Sequence, residues 1–169
     1  MILLDFNSGV RNGELTALKP KDIDNGKLHV RRMEITYTRD DGKIIRKVVN
    51  RTKTKKGKRA IPLSDAAKEI LDLLPKDGTY LFEKDGKRIT TSMTDKYIHK
   101  ICREIGIEER SMHKIRKTYL SKLFEEGMHP KKMQEISEHD SLDTLYKCYC
   151  YNTECHSLIF KSGRRLTIS

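Results

Sequence analysis

The sequence predicts a mixed α+β domain, mainly helical, with a small antiparallel three-stranded sheet between residues 27 and 63. Three observations indicate this class. Apolar residues recur at helical spacing through most of the chain, alternate with polar residues in one stretch only, and are separated by capping and breaking residues. The 169 residues are enough to bury one full core, so we expect a single domain.

The first two predicted elements are short helices. The apolar residues Ile2, Leu3, Leu4 and Phe6 indicate the end of a buried helix. A turn then leads into a second helix that buries Leu15 and Leu18 and ends at Pro20, because proline breaks a helix interior. The apolar start has no capping residue before it, and we therefore expect the chain to be a fragment of a longer protein.

The predicted sheet follows. Residues 28 to 37 alternate between apolar and polar side chains, and Asp40-Asp41-Gly42 is typical of a hairpin turn. Residues 44 to 49 give the second strand and residues 60 to 63 a short third one.

A strongly basic run covers the second half of this sheet. Residues 43 to 59 contain nine Lys or Arg and no acidic residue, in a chain of net charge +11. Like charges on one hairpin repel one another unless an anionic partner neutralises them. Nucleic acid is favoured over membrane, because no apolar run approaches the roughly 18 residues of a spanning helix. The DNA-binding candidates are Lys43, Arg46, Lys47, Arg51, Lys55, Lys56, Lys58 and Arg59.

Helices dominate the remainder of the chain. Ser64 is a good N-cap for a helix that runs to Pro75. The next helix covers residues 92 to 105, and Tyr97, Ile98, Ile101 and Cys102 are expected to face inward. Three more helical stretches are predicted, from Ser111 to Gly127, from Pro130 to His139, and from Leu142 to Tyr151.

The helix that starts at Ser111 carries the most informative pair of side chains. His113 and Arg116 are three residues apart, so they lie on one helical face and can reach one point near the helix N-terminus. The helix dipole favours an anion there, and in so basic a chain a phosphate is the obvious candidate.

The cysteines give little sign of a disulfide framework or a metal site. Cys102, Cys148, Cys150 and Cys155 are unevenly spaced, which suits reduced thiols in a cytoplasmic protein. The last three lie near His156, but their spacing fits no common zinc pattern.

Five segments follow one another in an informative order. They are Gly9-Val10-Arg11-Asn12-Gly13-Glu14-Leu15-Thr16-Ala17-Leu18, Thr52-Lys53-Thr54 with Lys58-Arg59-Ala60-Ile61-Pro62-Leu63, His113-Lys114-Ile115-Arg116, Ser137-Glu138-His139-Asp140-Ser141-Leu142-Asp143-Thr144, and Tyr149. At these separations they resemble the first arginine motif, the lysine hairpin, the His-x-x-Arg box, the second histidine segment and the nucleophile of the tyrosine recombinase (phage integrase) family. The chain departs from the family at Ser137-Glu138, where Leu-Gly is usual, and at Leu145, where Thr is usual.

The resemblance implies the catalytic domain of an integrase, transposon recombinase or resolvase, here without the family's N-terminal DNA-clamping domain. Such an enzyme cleaves duplex DNA through a 3′-phosphotyrosyl intermediate and needs neither metal nor ATP. The implied roles are phosphate contact for Arg11, Arg116 and His139, general base for His113, general acid for Lys53, nucleophile for Tyr149, and orientation of Arg11 or His113 for Glu14.

Several alternatives stay open. Tyr149 stands ten residues after His139, but Tyr146 and Tyr151 lie close by. A DNA-binding module that has lost catalysis and a type IB topoisomerase-like activity are the other functions to consider. The family also implies self-association on DNA, as a dimer to tetramer, in which the tail at residues 153 to 169 docks onto a neighbouring subunit. The alternative is that Leu158, Ile159 and Phe160 of this tail pack on their own domain.

Overall fold

The structure is a computed structural model that describes residues 1–50, 58–137, 141 and 145. The helices of this part of the chain are α1 (Ile2–Phe6), α2 (Asn12–Leu15), α3 (Asp65–Asp72), α4 (Thr91–Glu104), α5 (Met112–Glu125) and α6 (Pro130–Ser137). The strands are β1 (Ile23–Asp24), β2 (Lys27–Val30), β3 (Met33–Thr38), β4 (Ile44–Val49), β5 (Arg59–Pro62), β6 (Glu83–Lys84) and β7 (Lys87–Arg88). The mainly helical α+β class is confirmed.

The strands pair differently from the predicted sheet. A three-stranded antiparallel sheet has the order β1-β2-β5, while β3 and β4 form a separate hairpin. The expected single strand over residues 28 to 37 is broken at Arg31 and Arg32, whose guanidinium groups both bind the buried carboxylate of Asp22. Because of this break, β5 pairs with β2 and not with β4.

Local signals account for several element boundaries. The predicted hairpin turn is confirmed, with Gly42 at a φ of 77°. The Ser64 hydroxyl accepts a hydrogen bond from the Ala67 amide at 3.2 Å and caps α3. Gly127 follows α5 in the left-handed region, at a φ of 78°, as a helix stop requires.

Two burial predictions are wrong. Tyr97 is 61% exposed, because Ile98 and Cys102, four residues apart, occupy the inward face of α4. Helix α1 is only partly buried: Leu4 and Asp5 are fully enclosed, whereas Leu3 is 63% exposed.

Helix α5 connects two apolar clusters. Its first half contributes Met112 and Ile115 to the main core, which lies under the three-stranded sheet and helices α1 to α4. Its second half contributes Leu120 and Leu123 to a smaller cluster with α6. Arg116 therefore lies where the two clusters meet. None of the helices in the described part of the chain is both long and apolar enough to span a membrane.

Candidate active site

Arg116 is buried at the centre of the candidate site. It projects from the second turn of α5 and is 3% exposed. Its Nη1 donates to the Gly9 carbonyl and its Nη2 to the Ser137 carbonyl, both at 2.5 Å. A buried guanidinium needs such acceptors, and these two fix the plane of the group. Arg116 thereby joins the turn after α1, the second turn of α5 and the end of α6.

Gly9 has to be a glycine at this point. Its φ is +57°, and a Cβ atom built on it would lie 2.2 Å from Cδ1 of Tyr119. The Tyr119 ring therefore packs directly on the glycine, which holds the adjoining carbonyl in reach of Arg116.

Arg11 approaches the same point from α2. Its Nη2 donates to the Ser137 carbonyl at 3.4 Å, so one carbonyl oxygen accepts hydrogen bonds from both Arg11 and Arg116. The Arg11 amide and Nη1 also donate to the Glu14 carboxylate, at 3.1 and 3.2 Å. The Ser137 carbonyl thus binds two arginines that are 105 residues apart in the sequence.

Glu14 binds a second arginine from the sheet. Arg59, at the start of β5, donates through Nη2 and Nη1 to the Glu14 carboxylate at 2.9 and 3.4 Å. Burial raises the pKa of Glu14, but the charge and hydrogen bonds of Arg59, followed by those of Arg11, more than offset this and hold the pKa below its usual range. Glu14 is 1% exposed and therefore serves as an ionised counter-charge.

Arg59 occupies a different place from the one expected. The sequence puts it among the solvated DNA-binding residues, whereas its side chain is 7% exposed and pairs with Glu14. It is therefore better described as part of the arginine pocket. The signal that could have indicated this is the strand alternation, which puts Arg59 on the same face of β5 as the buried Ile61, opposite Val30 in the sheet register.

His113 lies one turn before Arg116 on α5, and its side chain is exposed whereas that of Arg116 is buried. Partial burial, followed by the charges of Lys117, Arg116 and Lys114, lowers the pKa of its imidazole. The imidazole is therefore neutral at neutral pH, which is the state a general base requires. The resemblance implies that Glu14 orients Arg11 or His113, and the hydrogen bonds described for Glu14 are with Arg11 and Arg59.

The other predicted site residues divide into two groups. Lys43, Arg46 and Lys47 on the hairpin, and Lys58 before β5, are exposed, as DNA contact requires. The remaining predicted residues lie outside the described residues, namely Arg51, Lys53, Lys55, Lys56, His139, Tyr146, Tyr149, Tyr151 and the tail at residues 153 to 169. Cys148, Cys150 and Cys155, which we considered as zinc ligands, also lie outside the described residues. Among the described residues, no three His, Cys, Asp or Glu side chains are grouped for metal binding.

A basic groove lies beside the arginine pocket. It has a volume of about 550 Å³ and is lined by residues of β2, β5 and the segments next to them. Its basic side chains are His29, Arg31, Arg32, Lys58 and Arg59. Sequence reasoning missed the first three, because they come before the basic run.

Comparison with known protein families matches residues 1–156 to the phage integrase family. The chain belongs to that family. Within it, a tyrosine recombinase XerC-like protein from Caldanaerobacter subterraneus subsp. tengcongensis is 30% identical over 174 residues, which cover 89% of this chain. The chain spans 44% of the length of that curated relative.

Solved structures support the same fold. A Tn1549 transposon integrase in complex with transposon right end DNA superposes with a TM-score of 0.76 at 21% identity, over 98% of this chain and 57% of that one. The XerA recombinase superposes with a TM-score of 0.66 at 22% identity, over 96% of this chain and 55% of that one. The predicted tyrosine recombinase catalytic-domain fold is confirmed.

Proposed function

We propose that this chain is the catalytic domain of a site-specific tyrosine recombinase that cleaves and rejoins duplex DNA. The observation that carries the proposal is the shared Ser137 carbonyl, which accepts hydrogen bonds from both Arg11 and Arg116. Two guanidinium groups held at one point suit the non-bridging oxygens of a single phosphodiester. Membership of the phage integrase family supports the same reaction.

The reaction begins with attack by the Tyr149 hydroxyl on the scissile phosphorus. The new bond joins the tyrosine oxygen to phosphorus, and the bond between phosphorus and the 5′-oxygen breaks. The tyrosine proton passes to His113, whose lowered pKa keeps its imidazole neutral beforehand. Lys53 supplies the proton that the departing 5′-oxygen needs. A 5′-hydroxyl from the partner strand then reverses these steps and rejoins the DNA.

The arginines stabilise the charge that develops in the transition state. Arg116 is almost fully enclosed, so its charge is weakly screened by solvent and acts strongly on a phosphate. Glu14 and Arg59 lie behind Arg11 and hold its side chain by an ionised hydrogen-bonded cluster. His139 adds a further hydrogen bond to the phosphate in this proposal.

The exposed basic residues supply the DNA interface. Lys43, Arg46 and Lys47 are exposed on the hairpin, and Lys58 lines the basic groove. Each phosphate that they contact should contribute about 0.9 to the slope of log K against log salt. The integrase structure solved with transposon right end DNA supports duplex DNA as the partner.

The decisive experiment is covalent trapping. The protein is incubated with nicked duplexes taken from the DNA that flanks its own coding sequence, and a covalent protein–DNA adduct is sought. We expect an adduct whose mapped peptide carries the DNA on Tyr149, and no adduct from Tyr149→Phe. An adduct mapped to Tyr146 or Tyr151 would move the nucleophile and leave the reaction intact. Undiminished DNA binding with no adduct would favour a non-catalytic binding module.

Arginine variants test the pocket in the same assay. Arg116→Ala and Arg11→Ala should abolish the adduct, whereas Arg103→Ala should not, because Arg103 is 63% exposed and pairs with Glu109 on the surface. Circular dichroism of each variant separates loss of chemistry from loss of fold. Arg116→Lys keeps the charge and removes the two-point geometry, so it should also be strongly impaired.

The role of Lys53 has a specific chemical test. Lys53→Ala should slow cleavage of ordinary DNA, and a substrate with sulfur in place of the 5′-bridging oxygen should restore it. A thiolate leaves without protonation, so failure of this rescue would remove Lys53 from the general-acid role.

We also propose that the tail at residues 153 to 169 contributes to self-association on DNA. Deleting it should then reduce recombination more than single-turnover cleavage of a half-site. Equal loss of both would show a tail that acts within its own domain.

A further inference from the structure

Asp5 is a buried carboxyl group that the proposed reaction does not use. Its exposed fraction is 0%. Neither side-chain oxygen accepts a hydrogen bond from the part of the chain that the structure describes. An ionised carboxylate in such a place is costly, so the group requires either a nearby positive charge or a proton.

The backbone connects Asp5 to the arginine pocket. The Asp5 carbonyl accepts a hydrogen bond from the Gly9 amide at 2.8 Å, and the Gly9 carbonyl accepts one from Arg116 at 2.5 Å. Helix α1 also packs directly on α5. One residue therefore links the end of α1 that carries Asp5 to the guanidinium that is proposed to bind phosphate.

The charges around Asp5 come from three elements. Burial raises its pKa to about 8; the charge of Arg116 on α5 opposes this rise, that of Glu14 on α2 adds to it, and that of the Met1 amino group opposes it. Helix α3 also packs against α1, but its charged side chains are exposed. Asp5 is therefore neutral at neutral pH and ionises just above it.

We propose that Asp5 is a positioning residue for Arg116 that couples occupancy of the arginine pocket to a proton. A neutral Asp5 does not compete with an incoming phosphate for the charge of Arg116. An ionised Asp5 attracts Arg116 itself and repels the phosphate. The inference rests on the proposed function, because it takes the arginine pocket as the phosphate site.

The coupling has a defined sign. A phosphate in the pocket adds a negative charge, which raises the affinity of Asp5 for its proton, so binding above neutral pH takes up a proton from solvent. If the phosphate raises the pKa of Asp5 by about one unit, DNA affinity falls about tenfold once the pH exceeds both values.

The experiment compares Asp5→Asn with the parent protein, both in a Tyr149→Phe background that prevents cleavage. Asparagine has the shape of the protonated side chain and stays neutral. Dissociation constants for a short duplex are measured by fluorescence anisotropy between about pH 7 and about pH 9.5 at constant ionic strength. We expect the affinity ratio of Asp5→Asn to parent to rise about sevenfold across this range, towards the tenfold limit at higher pH. Groups that titrate in both proteins cancel in the ratio.

Asp95→Asn is the matched control. Burial also raises the pKa of Asp95, but its carboxylate accepts a hydrogen bond from Asn12 at 3.3 Å and not from a pocket arginine. Its affinity ratio to the parent should stay flat with pH.

Carboxyl-carbon NMR of the parent protein provides a second measurement that does not depend on folding of the variant. The pKa of Asp5 should rise when the duplex is added. An unchanged pKa, or parallel pH profiles for parent and Asp5→Asn, would overturn the inference. If the protein with Tyr149 intact forms the covalent adduct but the affinity ratio stays flat with pH, only the role of Asp5 is refuted. If the affinity ratio changes with pH but the protein with Tyr149 intact forms no adduct, only the proposed catalysis is refuted.

Discussion

Replacing Glu14 by alanine should destabilise the protein substantially, even in the absence of DNA. The Glu14 carboxylate is 1% exposed and accepts hydrogen bonds from Arg59 and Arg11. The substitution leaves the positive charges of both guanidinium groups close together in a mostly buried pocket. Removing one partner of a buried ion pair typically costs about 3 to 5 kcal/mol, because the remaining charge is desolvated and uncompensated.

The two arginines should contribute unequally to this loss. The Arg59 side chain is 7% exposed and that of Arg11 26% exposed, so solvent screens the Arg11 pair more strongly. A double-mutant cycle between Glu14 and Arg59 should give a coupling of about 2 kcal/mol or more. The cycle between Glu14 and Arg11 should give about 1 kcal/mol or less.

Urea unfolding followed by far-ultraviolet circular dichroism measures these free energies. Glu126→Ala is the control, because its carboxylate is 57% exposed and lies 3.7 Å from Lys122 in a surface pair. That variant should lose about 0 to 1 kcal/mol.

The stability lost in Glu14→Ala should also depend on pH. The folded-state pKa of Glu14 is lowered, so its contribution is present above the ordinary value of 4.5 and is lost as the pH falls through the folded-state value. The difference between Glu14→Ala and the parent should therefore shrink in acid. A loss below about 1 kcal/mol at neutral pH, or a difference that grows in acid, would refute the assignment of Glu14 as an ionised buried counter-charge.

Three further substitutions test the ionisation of Asp5, the contact of Gly9 with Tyr119 and the cap of α3. The folded-state pKa of Asp5, about 8, lies above the ordinary 3.8, so the unfolded chain ionises first and the parent protein loses stability as the pH rises. The loss is about 4 kcal/mol between about pH 5 and about pH 8. Asp5→Asn should remove this loss, which urea unfolding at both pH values checks. Gly9→Ala should cost about 2 to 4 kcal/mol, since the new methyl group meets the Tyr119 ring at 2.2 Å. Gly106→Ala, at a φ of +72° but with nothing within 4 Å, should lose only about 1 to 2 kcal/mol. Ser64→Ala should lower the thermal midpoint through a loss of about 1 kcal/mol, because it removes the cap of α3.

Much of the architecture could be predicted from the sequence because it depends on short-range rules. Ser64 caps α3, Gly42 forms the hairpin turn, and Gly127 ends α5. The helical period also places His113 and Arg116 on one face. The order of the motifs was enough to indicate the family, whose membership the comparison confirms. The roles of Lys53, His139 and Tyr149 stay predictions.

Only the tertiary structure decided which side chains meet. The Ser137 carbonyl accepts hydrogen bonds from both Arg11 and Arg116. Arg59, which was expected on the DNA-binding surface, pairs with Glu14. The strand break at Arg31 and Arg32 moves β5 beside β2.

The same holds for the enclosure of Asp5, which no local pattern of the sequence indicates. Helical periodicity, caps and turns act over about four residues, whereas the bonds of Arg116 span 107 and 21 residues. Such contacts depend on how α1, α2, α5 and α6 pack together, and on the requirement that every buried charge find an acceptor, a counter-charge or a proton.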